Sequence, residues 1–245
     1  MLFAAEGKAG FDEGWEAYKN GDYESAYAEW RPLAEHGDKV AQHYLGGLYY
    51  QGKGVSQSDE KAAYWTLKAA NQGYAYSQLQ MGGLYLAGRG VEKDEKKAFE
   101  WTRKAAMQGY PKAILELGKY HHDGIGVEQD RDEAFYWLLE ASKRGETEAN
   151  HLIGFMFESG YEHGAESSAS NARSFYIMAA LAGYAPAQYR LGRLYFKGDK
   201  IEQDFHEAAK WLEKAAAQEY EPAKPLLKRV YREGLLPQLE EEKEG

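Results

Sequence analysis

The stretch Ala113-Ile-Leu-Glu-Leu-Gly-Lys-Tyr-His-His-Asp-Gly-Ile-Gly-Val-Glu-Gln-Asp-Arg-Asp-Glu-Ala-Phe-Tyr-Trp-Leu-Leu-Glu-Ala141 decides how this chain folds. Its first part carries apolar residues at Ala113, Leu117 and Tyr120, the i, i+4, i+7 spacing of one helix face, over a helix predicted from Ala113 to His122. Gly124-Ile125-Gly126 then supplies the permissive backbone that a helix end and a loop require. Asp130 opens a second amphipathic helix as an N-cap residue, and Glu133 three positions on matches a capping box. Two helices joined by a glycine loop are the result.

Working outward, the same unit returns along the chain. An aromatic series runs Trp30, Trp65, Trp101, Trp137, Phe175 and Trp211, with steps of 35, 36, 36, 38 and 36. Leu45-Gly46, Met81-Gly82, Leu117-Gly118, Ile153-Gly154 and Leu191-Gly192 recur with the same spacing, each four residues after a small residue: Ala41, Ser77, Ala113, Ala149 or Ala187. Gly37, Gly73, Gly109, Gly145 and Gly183 mark the turns between units. Ala62, Ala98, Ala134, Ala172 and Ala208 precede the aromatic position by three, a small residue that lets a neighbouring helix approach. Asp94 and Asp204 read as further N-caps, with Glu207 completing a second capping-box pattern. Repeats of this length bury their apolar faces only by stacking on their neighbours.

The registered positions resemble the Sel1-like repeat family, which is related to the tetratricopeptide repeat, over residues 11 to 233. The resemblance implies an all-α fold, a right-handed α/α solenoid of about six helix-pair repeats with a C-terminal capping helix. On that register the chain divides into a tail at 1–10, a tetratricopeptide-like first pair at 11–37, and Sel1-like repeats at 38–73, 74–109, 110–145, 146–183 and 184–219. A capping helix at 220–236 and an acidic tail at 237–245 follow. Asn20-Gly21-Asp22-Tyr23 reads as the turn inside the first pair. The repeat at 146–183 departs from the rest: from Tyr161 to Ser170 its loop is longer and lacks the apolar Val anchor, so it is predicted to be the most mobile internal segment.

Composition narrows the function. The 245 residues carry a net charge of -9, which argues against nucleic acid and anionic lipid as partners, because both require a basic face. No stretch of about 18 apolar residues is present to span a bilayer. With no cysteine there is no disulfide, thiol nucleophile or thiolate metal site. Met1 to Gly7 lacks a basic n-region; a trimmed signal peptide would mean a periplasmic or secreted protein, and otherwise a cytoplasmic one is expected.

Motifs that could carry chemistry have structural readings. His121-His122-Asp123 is the densest group of ligand-type residues, yet adjacent helical side chains point about 100° apart and do not readily share a metal. His121 also stands where other units have Tyr49, Tyr85 and Tyr195, a half-buried packing slot. His206-Glu207 approaches a zinc motif but has Lys210 where the second ligand belongs. Gly88-Arg-Gly-Val and Gly124-Ile-Gly-Val lack the third glycine of a phosphate loop and follow helices. No catalytic residue, metal ligand or cofactor is expected.

A binding surface is read from what varies between units. Counting from the small residue of each first helix, positions 0, 4, 7 and 8 are nearly constant and form the core face, whereas positions 3, 6 and 10 lie within about 60° of each other and vary sharply. Position 3 is Tyr44, Gln80, Glu116, Leu152 or Arg190; position 6 is Gly47, Gly83, Lys119, Phe155 or Arg193; position 10 is Gln51, Ala87, Asp123, Ser159 or Lys197. In solenoids of this resemblance the first helices line a concave surface, so the expected groove includes Tyr44, Gln80, Glu116, Lys119, Asp123, Phe155, Arg190, Arg193 and Lys197. Aromatic residues there would anchor a partner, and Arg190, Arg193 and Lys197 would form a basic end open to an acidic segment. The expected function is a non-catalytic, monomeric scaffold or adaptor that binds a protein or peptide; the runner-up that the resemblance allows is a hydrolase acting on a cell-wall-related substrate.

Overall fold

The computed structural model describes residues 2–161, 168–198 and 201–233. Among these there are thirteen α-helices and no strand. The chain divides into two units, Met1–Trp137 and Leu138–Gly245.

The first unit holds α1 (Leu2–Lys19), α2 (Tyr23–Glu35), α3 (Lys39–Gln51), α4 (Asp59–Asn71), α5 (Ala75–Ala87), α6 (Glu95–Met107), α7 (Pro111–Asp123) and the start of α8 (Arg131–Lys143). Helix α1 thus covers residues 2–10, where a tail was expected. Helices pair as α1 with α2, α3 with α4 and α5 with α6, and each pair packs on the next. The second unit holds the rest of α8, then α9 (Thr147–Glu158), α10 (Ser168–Leu181), α11 (Ala185–Lys197), α12 (Phe205–Ala217) and α13 (Ala223–Glu233). Here α9 pairs with α10 and α11 with α12, and α13 closes on α12. The long loop predicted to be mobile falls largely at residues 162–167, and the acidic tail at 237–245; both lie outside the described residues.

Local chemistry sets the helix ends. Asp22, Ser58, Asp94 and Asp204 are N-caps whose side chains accept a backbone N–H three residues on, and Asp130 accepts those of Asp132 and Glu133. The other half of the expected capping box is not made, for a tertiary reason. Asp130 N–H donates to the His121 carbonyl at 2.9 Å, and Asp204 N–H donates to the Tyr195 carbonyl at 3.0 Å, so the first helix of the pair already satisfies these donors. Glu133 and Glu207 are left to accept the indole N–H of Trp137 and Trp211, each at 2.9 Å.

Packing within each pair centres on glycine. A Cβ at Gly46 or Gly82 would stand 2.7 or 2.4 Å from the hydroxyl of Thr66 or Thr102. In the second unit Gly154 meets the Tyr176 ring and Gly192 meets Leu212. These partners, not the aromatic series, fill the deepest positions: Thr66, Thr102, Tyr176 and Leu212 are fully buried. Trp65, Trp101, Trp137 and Phe175, one residue earlier, are half-buried, whereas Trp211 is buried beside Leu212. Trp30 belongs to the deep position, packed on Gly14 with no exposed surface, so the sequence register placed it one residue out.

A ladder of buried glutamines, which the sequence reading missed, joins consecutive pairs. In the first unit the Gln42 and Gln78 side-chain amides donate to the Ala34 and Ala70 carbonyls at 3.0 and 3.1 Å, at the end of the preceding helix. Gln72 and Gln108 in turn donate to Gln42 and Gln78 at 2.8 and 2.6 Å. The second unit repeats the arrangement with Gln188, Ala180 and Gln218. The Ala34, Ala70 and Ala180 carbonyls each accept a turn N–H as well, from Gly37, Gly73 and Gly183, so the glutamine amide occupies the second lone pair of a buried helix-terminal oxygen. The signal was available: Gln42, Gln78 and Gln188 each follow the small residue of the first helix.

Candidate functional site

Two of the predicted groove residues line one cleft in the first unit. Its walls are Tyr18 from α1, His43, Tyr44, Gly47 and Gln51 from α3, and Tyr76 and Gln80 from α5, with Leu48 and Leu79 between them. The volume is about 340 Å³. Tyr44 is more embedded than its sequence position implied. Its ring contacts those of Phe11, Trp15 and Trp30 at centroid distances of 5.7, 5.3 and 5.0 Å, so it packs on the core of the first pair while also lining the cleft. Tyr76, at position -1 of its repeat and outside the predicted face, is 52% exposed. It stacks on Tyr74 at 5.5 Å and lies tilted against Tyr110 at 4.6 Å.

No cleft residue is a carboxylate, lysine or arginine. The one titratable base, His43, is held by burial at about 4, with its Nδ1 2.9 Å from the Ser77 hydroxyl. The Gln80 side-chain oxygen is shielded from solvent and accepts no hydrogen bond among the described residues. Gly47 in the cleft and Gly83, its equivalent in α5, stand in the middle of helices where glycine costs about 0.5–1 kcal/mol relative to alanine. A Cβ at either would meet nothing within 4 Å, in contrast to Gly46 and Gly82 beside them. Packing gives Gly46 and Gly82 their reason and gives Gly47 and Gly83 none.

The remaining predicted residues of this unit pair locally. Lys119 bonds Glu116 at 2.9 Å, and Asp123 accepts from the His122 ring at 2.6 Å. His121 packs edge-on against Phe99 at 5.4 Å, as the half-buried slot required. Among the described residues no group of three or more His, Cys, Asp or Glu is placed to hold a metal.

In the second unit Phe155, Arg190 and Arg193 come together around a residue absent from the predicted set, Glu158. Arg193 bonds its Oε1, and Arg190 lies 3.5 Å from Oε2 with its guanidinium 4.9 Å from the Phe155 ring centroid. The buried Tyr176 hydroxyl donates to the same carboxylate at 2.7 Å, and burial, followed by that carboxylate, pushes the phenol up. The basic end expected at α11 is therefore partly neutralised from within; Lys197, at the end of α11, is exposed. His151, which faces Tyr176 and Tyr184, is held at about 4 by burial and secondarily by Arg190.

These two imidazoles make a prediction. Both fall below the ordinary 6.5, so between about pH 4 and 6.5 the unfolded chain binds more protons than the folded one. Their contribution to stability is complete above pH 6.5 and is lost as pH falls towards 4. The melting temperature is expected to drop between about pH 7 and pH 5, and the drop to flatten in His43→Gln with His151→Gln. Equal slopes in the two proteins would show that other groups carry the dependence.

The Sel1 repeat model matches residues 39–74, 75–110, 111–146, 147–184 and 185–220. The chain belongs to the Sel1 repeat family. Its fold is the α/α solenoid of that family. A Sel1 repeat protein from Oxalobacter formigenes is similar over 96% of this chain and 92% of its own, with 32% identity and a TM-score of 0.83. A protective antigen of uropathogenic Escherichia coli that displays an SLR fold is 29% identical with a TM-score of 0.82. The alignment spans 93% of this chain and 49% of that protein, about half its length. No curated protein matches. Sel1 repeats are in general scaffolds for protein–protein interaction. In this Sel1 repeat chain no helix among the described residues is long and apolar enough to cross a membrane.

Proposed function

We propose that the chain is a non-catalytic scaffold that docks a protein or peptide segment on the exposed face of its first helices, with the α3–α5 cleft as the principal seat. The observation that carries this is the cleft itself. It is built at the positions that vary from repeat to repeat, and its walls combine three tyrosines with two glutamine amides. Tyrosine offers large contact area with a polar tip at low entropic cost, the profile of an interface anchor. The α11 end is the weaker seat for an acidic segment, since Arg190 and Arg193 already share Glu158.

A photo-crosslinking residue at Gln80 would trap the partner, which is then purified and titrated against the wild type and Tyr76→Ser. Tyr76 is half exposed but packs on Tyr74 and Tyr110, so the melting temperature of the variant is measured beside its affinity to separate lost packing from lost binding. Affinity is expected to fall at least about tenfold, the loss of one anchor worth more than about 1.4 kcal/mol. Undiminished binding to Tyr76→Ser would remove the cleft from the interface.

A further inference from the structure

We infer that the α3–α5 cleft takes an extended, uncharged, proline-containing peptide segment, whose backbone lies directly against the helix backbone at Gly47 and Gly83. The inference rests on the scaffold reading above and specifies its ligand.

The glycines carry the first half. Each sits inside a helix with ordinary helical dihedrals, so no positive φ demands it, and open space surrounds the missing Cβ, so no neighbour demands it either. A mid-helix glycine without a conformational or packing reason leaves close approach of another molecule as its use. The same substitution in consecutive repeats bares two patches of backbone on one face, at the position where other repeats carry Lys119, Phe155 and Arg193. A docked helix would be held off by its own side chains, with axes about 8–10 Å apart. An extended strand reaches the bared backbone without that obstacle.

The lining carries the second half. A charged segment would bring its charge to a lining without a carboxylate, lysine or arginine, the Lys53 ammonium beside it being seated over the Tyr18 and Tyr23 rings at 5.7 and 4.7 Å, and His43 stays neutral across the physiological range. Prolines suit aromatic walls: a polyproline II segment is already extended, makes no internal hydrogen bonds, and presents ring faces to tyrosines and free carbonyls to donors. Tyr18, Tyr44 and Tyr76 supply the aromatic lining, and the amides of Gln51 and Gln80 supply donors.

The test is a selection from a library of random decapeptides displayed on phage, with the full chain as bait, followed by titration of the best synthetic peptide. Recovered sequences are expected to be enriched in proline and depleted in Asp, Glu, Lys and Arg. In Gly47→Ala with Gly83→Ala the peptide is expected to bind at least tenfold more weakly, while the melting temperature rises, because alanine is the better helix former and meets no clash. A loss of binding with a raised melting temperature separates occlusion of a site from unfolding. Recovery of charged peptides that still require both glycines and Tyr76 would overturn the ligand chemistry and leave the scaffold reading intact. Peptides indifferent to the glycines but dependent on Tyr76 would overturn the backbone approach alone. Peptides indifferent to all three, or no enrichment, would overturn the inference entirely, with the crosslinked partner deciding the scaffold reading separately.

Discussion

Trp30→Ala is expected to destabilise the first unit by about 3–5 kcal/mol, the range for deleting a fully buried large aromatic. The indole has no exposed surface, rests on Gly14, and is ringed by Phe11, Tyr18 and Tyr44 at 5.9, 5.6 and 5.0 Å. Its N–H donates to the Phe11 carbonyl at 3.3 Å, a bond that the substitution also removes. Trp101→Ala is the control. That ring belongs to the aromatic series read from sequence, yet it is half-buried with the Lys104 ammonium 4.0 Å from its centroid, and its loss should cost about 1–2 kcal/mol by area. Urea unfolding of both variants measures the difference. Equal costs would mean that Trp30 does not occupy the deep position shared with Thr66 and Thr102.

Gly126→Ala should be comparably severe. Gly126 has φ +69°, and a Cβ there would stand 2.0 Å from the carbonyl oxygen of Glu95, the first residue of α6. Gly90 and Gly54 meet the carbonyls of Asp59 and Tyr23, the first residues of α4 and α2, in the same way. Each loop is thus seated on the start of the second helix of the preceding pair, and Arg89 fastens one of them through two bonds to Asp59 at 2.7 and 3.1 Å. An alanine incurs about 1–2 kcal/mol for the left-handed backbone and about 1–3 kcal/mol for the overlap with immovable main chain. Gly124→Ala separates the two contributions: its φ is +73°, but its Cβ would meet only Gln129, at 3.4 Å or more, which is ordinary van der Waals contact. The expected result is a clearly larger loss of melting temperature in Gly126→Ala than in Gly124→Ala. Equal losses would reduce the role of Gly126 to its dihedral angle.

Much of the molecule was legible before any coordinates, because a repeat states its core several times over. Ala62, Ala98, Ala172 and Ala208 recur since each must admit a neighbouring helix, and all are fully buried. Gly46, Gly82, Gly154 and Gly192 recur since each receives a side chain from the paired helix. The binding face was legible only in part. Tyr44 and Gln80 were placed on it by angular position, but Tyr76 and Tyr18 complete the cleft from another register and another helix pair, which the angular argument does not reach.

The sequence by itself determined the helices, their pairing and the constant core, because these follow from spacings within about one repeat: side-chain periodicity, N-caps and small residues at fixed intervals. Only the tertiary structure decided which charges remain available, which glycines are crowded and which are open, and where the glutamic acids of the capping patterns turn. Glu158 lies 32 and 35 positions from the arginines it neutralises, and the carbonyl that crowds Gly126 lies 31 positions away. Contacts at that separation arise when one helix pair stacks on the next, and they depend on how each varied side chain meets its neighbour, which the spacing of the constant ones does not encode.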